Sequence, residues 1–128
     1  MRLLLDTHAL LWWVDGGGDL SATQKRAIGR SINQVCVSVA SAWEMAIKAS
    51  LGKLVLATGI GDYFARHHPA NRFHLLAITL EHAARVETLP FHHRDPFDRL
   101  LIAQAKEEGL TVVSRDSVFA RYGVKRIG

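Results

Sequence analysis

Short apolar runs of strand length recur from one end of this chain to the other, and stretches with helical signals stand between them. Leu3 to Leu5, Gln34 to Ser38, Phe73 to Thr79, Leu110 to Ser114 and Val124 to Ile127 read as strands. Ala9 to Val14 reads as a helix with Thr7 as its expected cap, and Ser21 caps a second helix running to about Ser31. Ala40 to Leu51 is Ala-rich and ends at Gly52, a residue suited to a left-handed cap. Gly61 to His68 and Leu80 to Thr88 are also helical in pattern. Asp95 and Pro96 open a further helix, since proline at the first helical position has no N–H to leave unpaired. Phe97, Leu100, Leu101 and Ala105 give that helix its buried face, Gly109 stops it, and Ser117 to Tyr122 reads as a last short helix. Strands joined through helices require right-handed crossovers, so the expected fold is α/β, with a parallel sheet of about five strands and helices on both faces. A chain of 128 residues with no repeat, low-complexity tract or linker is expected to form one domain over residues 1–128.

Four acids fall where an apolar run ends or a helix begins: Asp6, Glu44, Asp98 and Asp116. In a parallel sheet the carboxyl ends of the strands share one edge, and open α/β folds build their sites there. Each acid also has a plain structural reading. Asp6 suits a turn or a helix cap. Ser41-Ala42-Trp43-Glu44 has the spacing of a capping box, and Lys48 lies one turn beyond Glu44, where it can form an ion pair. Asp95 and Asp98 both favour the positive end of one helix, yet capping needs only one of them. Asp95 is therefore assigned to capping and support, and Asp98 to the site. Asp116, in Ser114-Arg115-Asp116, suits a turn before a short helix. Carboxylates brought together from separate junctions repel one another unless a hard cation sits among them. The set therefore points to a magnesium- or manganese-dependent enzyme acting on phosphate.

The remaining chemistry is sparse. The chain carries 16 Lys and Arg against 12 Asp and Glu, a formal charge of +4 that suits an anionic partner. Cys36 is the single cysteine and reads as a buried strand residue, so no disulfide framework forms within the chain. Met1-Arg2-Leu3-Leu4-Leu5 is interrupted by Asp6 and is followed by no small-residue cleavage site, and no stretch has the length of a membrane span. A cytoplasmic protein with no membrane association is expected. His67-His68 and His92-His93 are adjacent pairs rather than helical i, i+4 pairs and have no cysteine partners, which argues against structural zinc. Gly16-Gly17-Gly18 lacks the Gly-Lys-Ser/Thr end of a phosphate loop. His8 stands where a haloacid-dehalogenase-like phosphatase needs a second Asp, and the acidic pair of a response-regulator receiver is absent. A non-catalytic nucleic-acid-binding or partner-binding module on the same fold is the alternative.

Leu4-Leu5-Asp6-Thr7-His8, Ser41-Ala42-Trp43-Glu44-Met45-Ala46-Ile47-Lys48, His93-Arg94-Asp95-Pro96-Phe97-Asp98-Arg99-Leu100-Leu101-Ile102-Ala103-Gln104-Ala105 and Thr111-Val112-Val113-Ser114-Arg115-Asp116 occur in the order found in one family. Through them the chain resembles PIN-domain proteins, and particularly the VapC-type toxins of bacterial toxin–antitoxin pairs. The resemblance spans nearly the whole chain. It implies a PIN-like three-layer fold and a Mg²⁺- or Mn²⁺-dependent endoribonuclease that cleaves RNA with metal-activated water. It places the family's acids on Asp6, Glu44, Asp98 and Asp116 as catalytic residues and metal ligands. Thr7, Asp95, Ser114 and Arg115 are then supporting residues, with Arg115 to hold a phosphate or a partner's carboxylate. Lys48, Arg94, Arg99 and Arg115 are candidates to follow the RNA backbone. A cognate VapB-like antitoxin and a homodimer are the partners the resemblance implies.

Overall fold

The computed structural model describes residues 1–128. It contains five strands: β1 (Arg2–Leu5), β2 (Gln34–Ser38), β3 (His74–Leu76), β4 (Thr111–Val113) and β5 (Arg126–Ile127). Seven α-helices accompany them: α1 (Thr7–Val14), α2 (Ala22–Gly29), α3 (Val39–Ser50), α4 (Ile60–Ala70), α5 (Leu80–Arg85), α6 (Pro96–Glu108) and α7 (Val118–Arg121). A 3₁₀ turn over Val86–Thr88 continues α5. All strand pairs are parallel, and the sheet order is β3-β2-β1-β4-β5. The expected α/β architecture and the strand at Gln34–Ser38 are both observed. The third, fourth and fifth strands are shorter than their apolar runs. Leu54 and Leu56 pack on the core without forming a regular element, and Val55 between them is exposed.

Alternation along β1 builds both faces of the sheet. Leu3 and Leu5 enter one core with Val35, Val37 and Val113, while Leu4 enters the other with Cys36 and Val112. The first core is covered by α1, α2 and α4, through Ala9, Leu10, Ile28, Tyr63 and Phe64. The second is covered by α6 and α7, through Leu101, Ile102, Ala105 and Phe119. Leu4 is fully buried, so Leu4→Ala removes both its transfer energy and its packing, a loss of about 2–5 kcal/mol.

The connections place the site. From β1 the chain moves outward to β2 and then β3. It then returns across the sheet through α5 and α6 to β4, on the other side of β1. The strand order therefore reverses between β1 and β4, and the carboxyl ends of strands flanking such a reversal open onto a crevice.

Candidate active site

Asp6 follows the last residue of β1 and is itself the cap of α1. Its backbone is extended (φ −71°, ψ 171°), its N–H donates to the Val113 carbonyl of β4, and its Oδ1 accepts the Ala9 N–H at 2.7 Å. Thr7, expected as the cap, is the first residue of the helix. The extended backbone ends at Asp6, one residue too early for Thr7 to serve, and the Asp6 carboxylate reaches the free N–H. Asp6 is 6% exposed. Burial pushes its carboxyl up from the ordinary 3.8, while the Ser114 hydroxyl and the Ala9 N–H favour the charged form and work against that rise.

Glu44 comes from α3, but not from its first turn. Ser38, the last residue of β2, is the cap, with its hydroxyl accepting the Ala40 N–H. Ser41 lies inside the helix, so the expected capping box does not form. Both serines have the cap chemistry, and the end of the extended strand selects the earlier one. Glu44 therefore sits in the second helical turn and is 5% exposed. Its Oε1 accepts the Thr7 hydroxyl at 2.7 Å, and its Oε2 accepts Lys48 Nζ at 2.8 Å, the ion pair that the spacing predicts. Ser41 Oγ is 2.9 Å from Thr7 Oγ1. A carboxylate only accepts, so Thr7 gives its single proton to Glu44 and Ser41 supplies the proton between the two hydroxyls. Hydrogen bonding to Glu44, together with the fields of Glu44, Asp95 and Asp98, pushes the Lys48 ammonium up against its partial desolvation.

Asp95 and Asp98 divide their roles as the helix start predicts. Asp95 Oδ1 accepts the N–H groups of Phe97 and Asp98, both at 2.9 Å, with Pro96 beginning the helix. Asp98 is left free of capping, and its Oδ2 lies 3.3 Å from His93 Nε2. Its carboxyl is pushed up from 3.8 to about 7. Burial is the largest cause, followed by the negative fields of Asp95, Asp6, Glu44 and Asp116 in that order. Four other acids thus act on one half-buried carboxyl. Asp116 is exposed, with its Oδ1 accepting the Val118 N–H at 2.9 Å. The buried Ser114 hydroxyl accepts the Asp116 N–H at 3.0 Å. β1, α3, α6 and the end of β4 therefore bring their acids within electrostatic reach of each other at the reversal point. No three acidic, histidine or cysteine side chains close around a single point at coordinating distance.

The donor chemistry fits a hard divalent ion. All four candidate donors are carboxylates, and the rise of Asp98 comes from burial first and then from a repulsion between acids that a cation relieves. The fit is weakest at Glu44, because Thr7 and Lys48 already engage both of its oxygens.

One basic residue does not serve as the sequence suggests. Arg99 is 4% exposed, and its guanidinium donates to the carbonyls of Pro90 and Leu89 and to the Tyr122 hydroxyl. It cannot follow an RNA backbone, because its donors are committed inside the fold. Its position on the inner face of α6, one residue after Asp98, decides this. Arg115 stays exposed and donates to the Asp19 carbonyl at 2.8 Å. Trp12 and Trp13 pack on the core, whereas Trp43 is 56% exposed and meets Phe97 edge to face at 5.1 Å.

His93 and Tyr122 stand next to the site without any motif in the sequence to mark them. His92-His93 carries no metal-ligand spacing, and nothing in the chain pattern joins His93 to Tyr122, 29 positions away. One signal was present: a tyrosine in an apolar segment has a hydroxyl that needs a partner when buried.

The PIN domain family model matches residues 3–125. The chain is 30% identical over 115 residues to Ribonuclease VapC22 of Mycobacterium tuberculosis, covering 89% of this chain and 86% of that one. The fold is similar to that of VapBC2 from Rickettsia felis bound to a promoter DNA fragment, with a TM-score of 0.72, 13% identity and 99% and 98% of the two chains covered. It is similar also to DNA-bound VapBC from Salmonella typhimurium, with a TM-score of 0.71, 16% identity and 99% and 97% covered.

Proposed function

The chain belongs to the PIN-domain family, and from that premise we propose that it is a metal-dependent endoribonuclease, the toxin of a VapBC-type toxin–antitoxin pair. One observation carries the reading. Burial, and after it the fields of Asp95, Asp6, Glu44 and Asp116, push the Asp98 carboxyl up to about 7 at the sheet edge where the topology reverses. Such a grouping destabilises the protein by itself and has a purpose once a cation joins it. The 30% identity to a ribonuclease over most of both chains supports RNA as the substrate.

Asp6 and Asp98 are the central ligands in this reading, and Glu44 and Asp116 bind directly or orient water. A Mg²⁺ or Mn²⁺ ion bound there supplies a water of lowered pKa and relieves charge on the phosphoryl oxygens. The chain's own residues prepare the place. Ala9 N–H and the Ser114 hydroxyl favour ionised Asp6, Thr7 with Ser41 fixes Glu44, and Asp95 anchors the turn that carries Asp98. Lys48 and Arg94 lie beside the acids in space or sequence and supply positive charge for the RNA backbone, a contact that orients without selecting bases.

The VapBC assemblies among the structural neighbours support a small antitoxin as partner; a C-terminal antitoxin segment that covers the acids with an arginine toward them is what the family resemblance implies. A homodimer, a single domain over residues 1–128 and a cytoplasmic location complete the proposal. No helix is long and apolar enough to cross a membrane.

The deciding experiment is sequencing of RNA ends after induction of the wild type and of Asp6→Asn, with in vitro cleavage in Mg²⁺, Mn²⁺ and EDTA. Site-specific ends that vanish in the variant and in EDTA support the proposal. Cleavage indifferent to both removes it. Light scattering at micromolar concentration tests the dimer, and a monomer counts against it.

A further inference from the structure

We propose that His93 is the positioning residue of the Asp98 carboxylate, held by Tyr122 and Arg99 in the one tautomer that donates to it. This rests on Asp98 being a site acid, as proposed above.

The Tyr122 hydroxyl is the hub of the network. Its oxygen lies 3.1 Å from Arg99 NH1, 3.2 Å from the His93 backbone N–H, 2.7 Å from His93 Nδ1 and 3.4 Å from the His93 carbonyl. A phenol oxygen has two lone pairs and one proton. Arg99 and the backbone N–H can only donate, so together they occupy both lone pairs. The phenol proton then has two acceptors within reach, and the ring nitrogen is much the nearer. Nδ1 therefore accepts and carries no hydrogen, for an Nδ1–H would find no free lone pair on the phenol. The ring's hydrogen must sit on Nε2, which is 3.3 Å from Asp98 Oδ2. Closure of the network fixes where the imidazole hydrogen sits.

Each link is itself held. Arg99 is fixed by the Pro90 and Leu89 carbonyls and by Phe91, whose ring centroid is 4.1 Å from the guanidinium carbon. Tyr122 is 3% exposed and packs in the second core. The His93 and Tyr122 rings also meet at 5.4 Å. The chain Arg99–Tyr122–His93–Asp98 thus runs from the core to the site. The hydrogen bond engages one oxygen of Asp98 and restricts rotation of the carboxylate. Partners that orient a metal-binding carboxylate typically alter metal affinity or activity ~10- to 100-fold when removed.

The test compares His93→Ala, His93→Gln and Tyr122→Phe with the wild type. Gln places an N–H near the Nε2 position and is the conservative variant. Imidazole ¹⁵N NMR of the metal-free protein is expected to show His93 as the Nε2–H tautomer, with that signature blurred in Tyr122→Phe. Mn²⁺ binding by calorimetry is expected to weaken ~10- to 100-fold in His93→Ala and to recover most of that in His93→Gln. The kcat for RNA should follow the same order, with KM little changed and with circular dichroism and melting confirming the fold. The assignment is overturned by an Nδ1–H signature, by Mn²⁺ affinity and kcat unchanged in His93→Ala, or by His93→Gln behaving like His93→Ala. If the wild type neither binds Mn²⁺ nor cleaves RNA, the proposed function fails. The Nε2–H signature and its loss in Tyr122→Phe would in that case still uphold the positioning network.

Discussion

Replacing Asp98 by Asn should make the metal-free protein more stable above neutral pH while removing its activity. The carboxyl is pushed up from 3.8 to about 7. At 1.36 kcal/mol for each tenfold change in proton affinity, this disfavours ionised Asp98 in the fold by about 4 kcal/mol. The side chain is 22% exposed, so solvent screening reduces the realised figure to about 2–3 kcal/mol. The sign follows from proton binding. Between pH 3.8 and about 7 the folded state holds a proton that the unfolded state has released. Stability therefore falls as pH rises through that window, and the full penalty is present above about 7. Asn keeps the shape and carries no charge, so the penalty disappears, as does the repulsion Asp98 exerts on its neighbours. Urea denaturation in EDTA at pH 5, 6, 7 and 8 measures this. The wild type should lose stability across the series relative to Asp98→Asn, with the difference largest at pH 8. Adding Mg²⁺ at pH 8 should stabilise the wild type and not the variant. If the two proteins show parallel stability from pH 5 to 8, or if Asp98→Asn is the less stable at pH 8, the electrostatic account of the site is wrong.

Three further substitutions separate site roles from fold roles. Asp6→Asn should retain its melting transition within a few degrees and lose metal-dependent cleavage by ~10²-fold or more, because the Ala9 N–H keeps an acceptor while the central charge is gone; an unaffected rate in a gel assay would contradict this. Thr7→Val should cost about 1–3 kcal/mol in denaturant unfolding, since one buried oxygen of Glu44 loses its donor, and should lower kcat more than it changes KM. A stability equal to the wild type would show that the contact is unimportant. Arg99→Met should destabilise by about 2–4 kcal/mol through the two carbonyls left without this donor and the phenol left with the His93 N–H alone. Its KM for RNA should stay close to that of the wild type, and a large rise in KM with unchanged stability would restore the backbone-contact role.

The amino-acid sequence alone determined what depends on local order. Asp95 before Pro96 could only open α6, and Gly109 ends it at a positive φ of 66°. The alternation of apolar runs and helical stretches fixed a parallel sheet, since each crossover must return to the same edge. Asp6, Asp98 and Asp116 stood out as candidates because junctions between strand and helix are short and their chemistry is visible in three or four residues. Tertiary structure decided what depends on where extended backbone stops and on which donors find acceptors. Ser38 rather than Ser41 caps α3, because β2 ends there, and Glu44 consequently enters the site from the second turn. Arg99 turned inward because loop carbonyls at Leu89 and Pro90, together with Tyr122 from beyond β4, met it at short range. Burial and the mutual fields of acids far apart along the chain raised Asp98, and both quantities exist only after folding has excluded water and set distances in space.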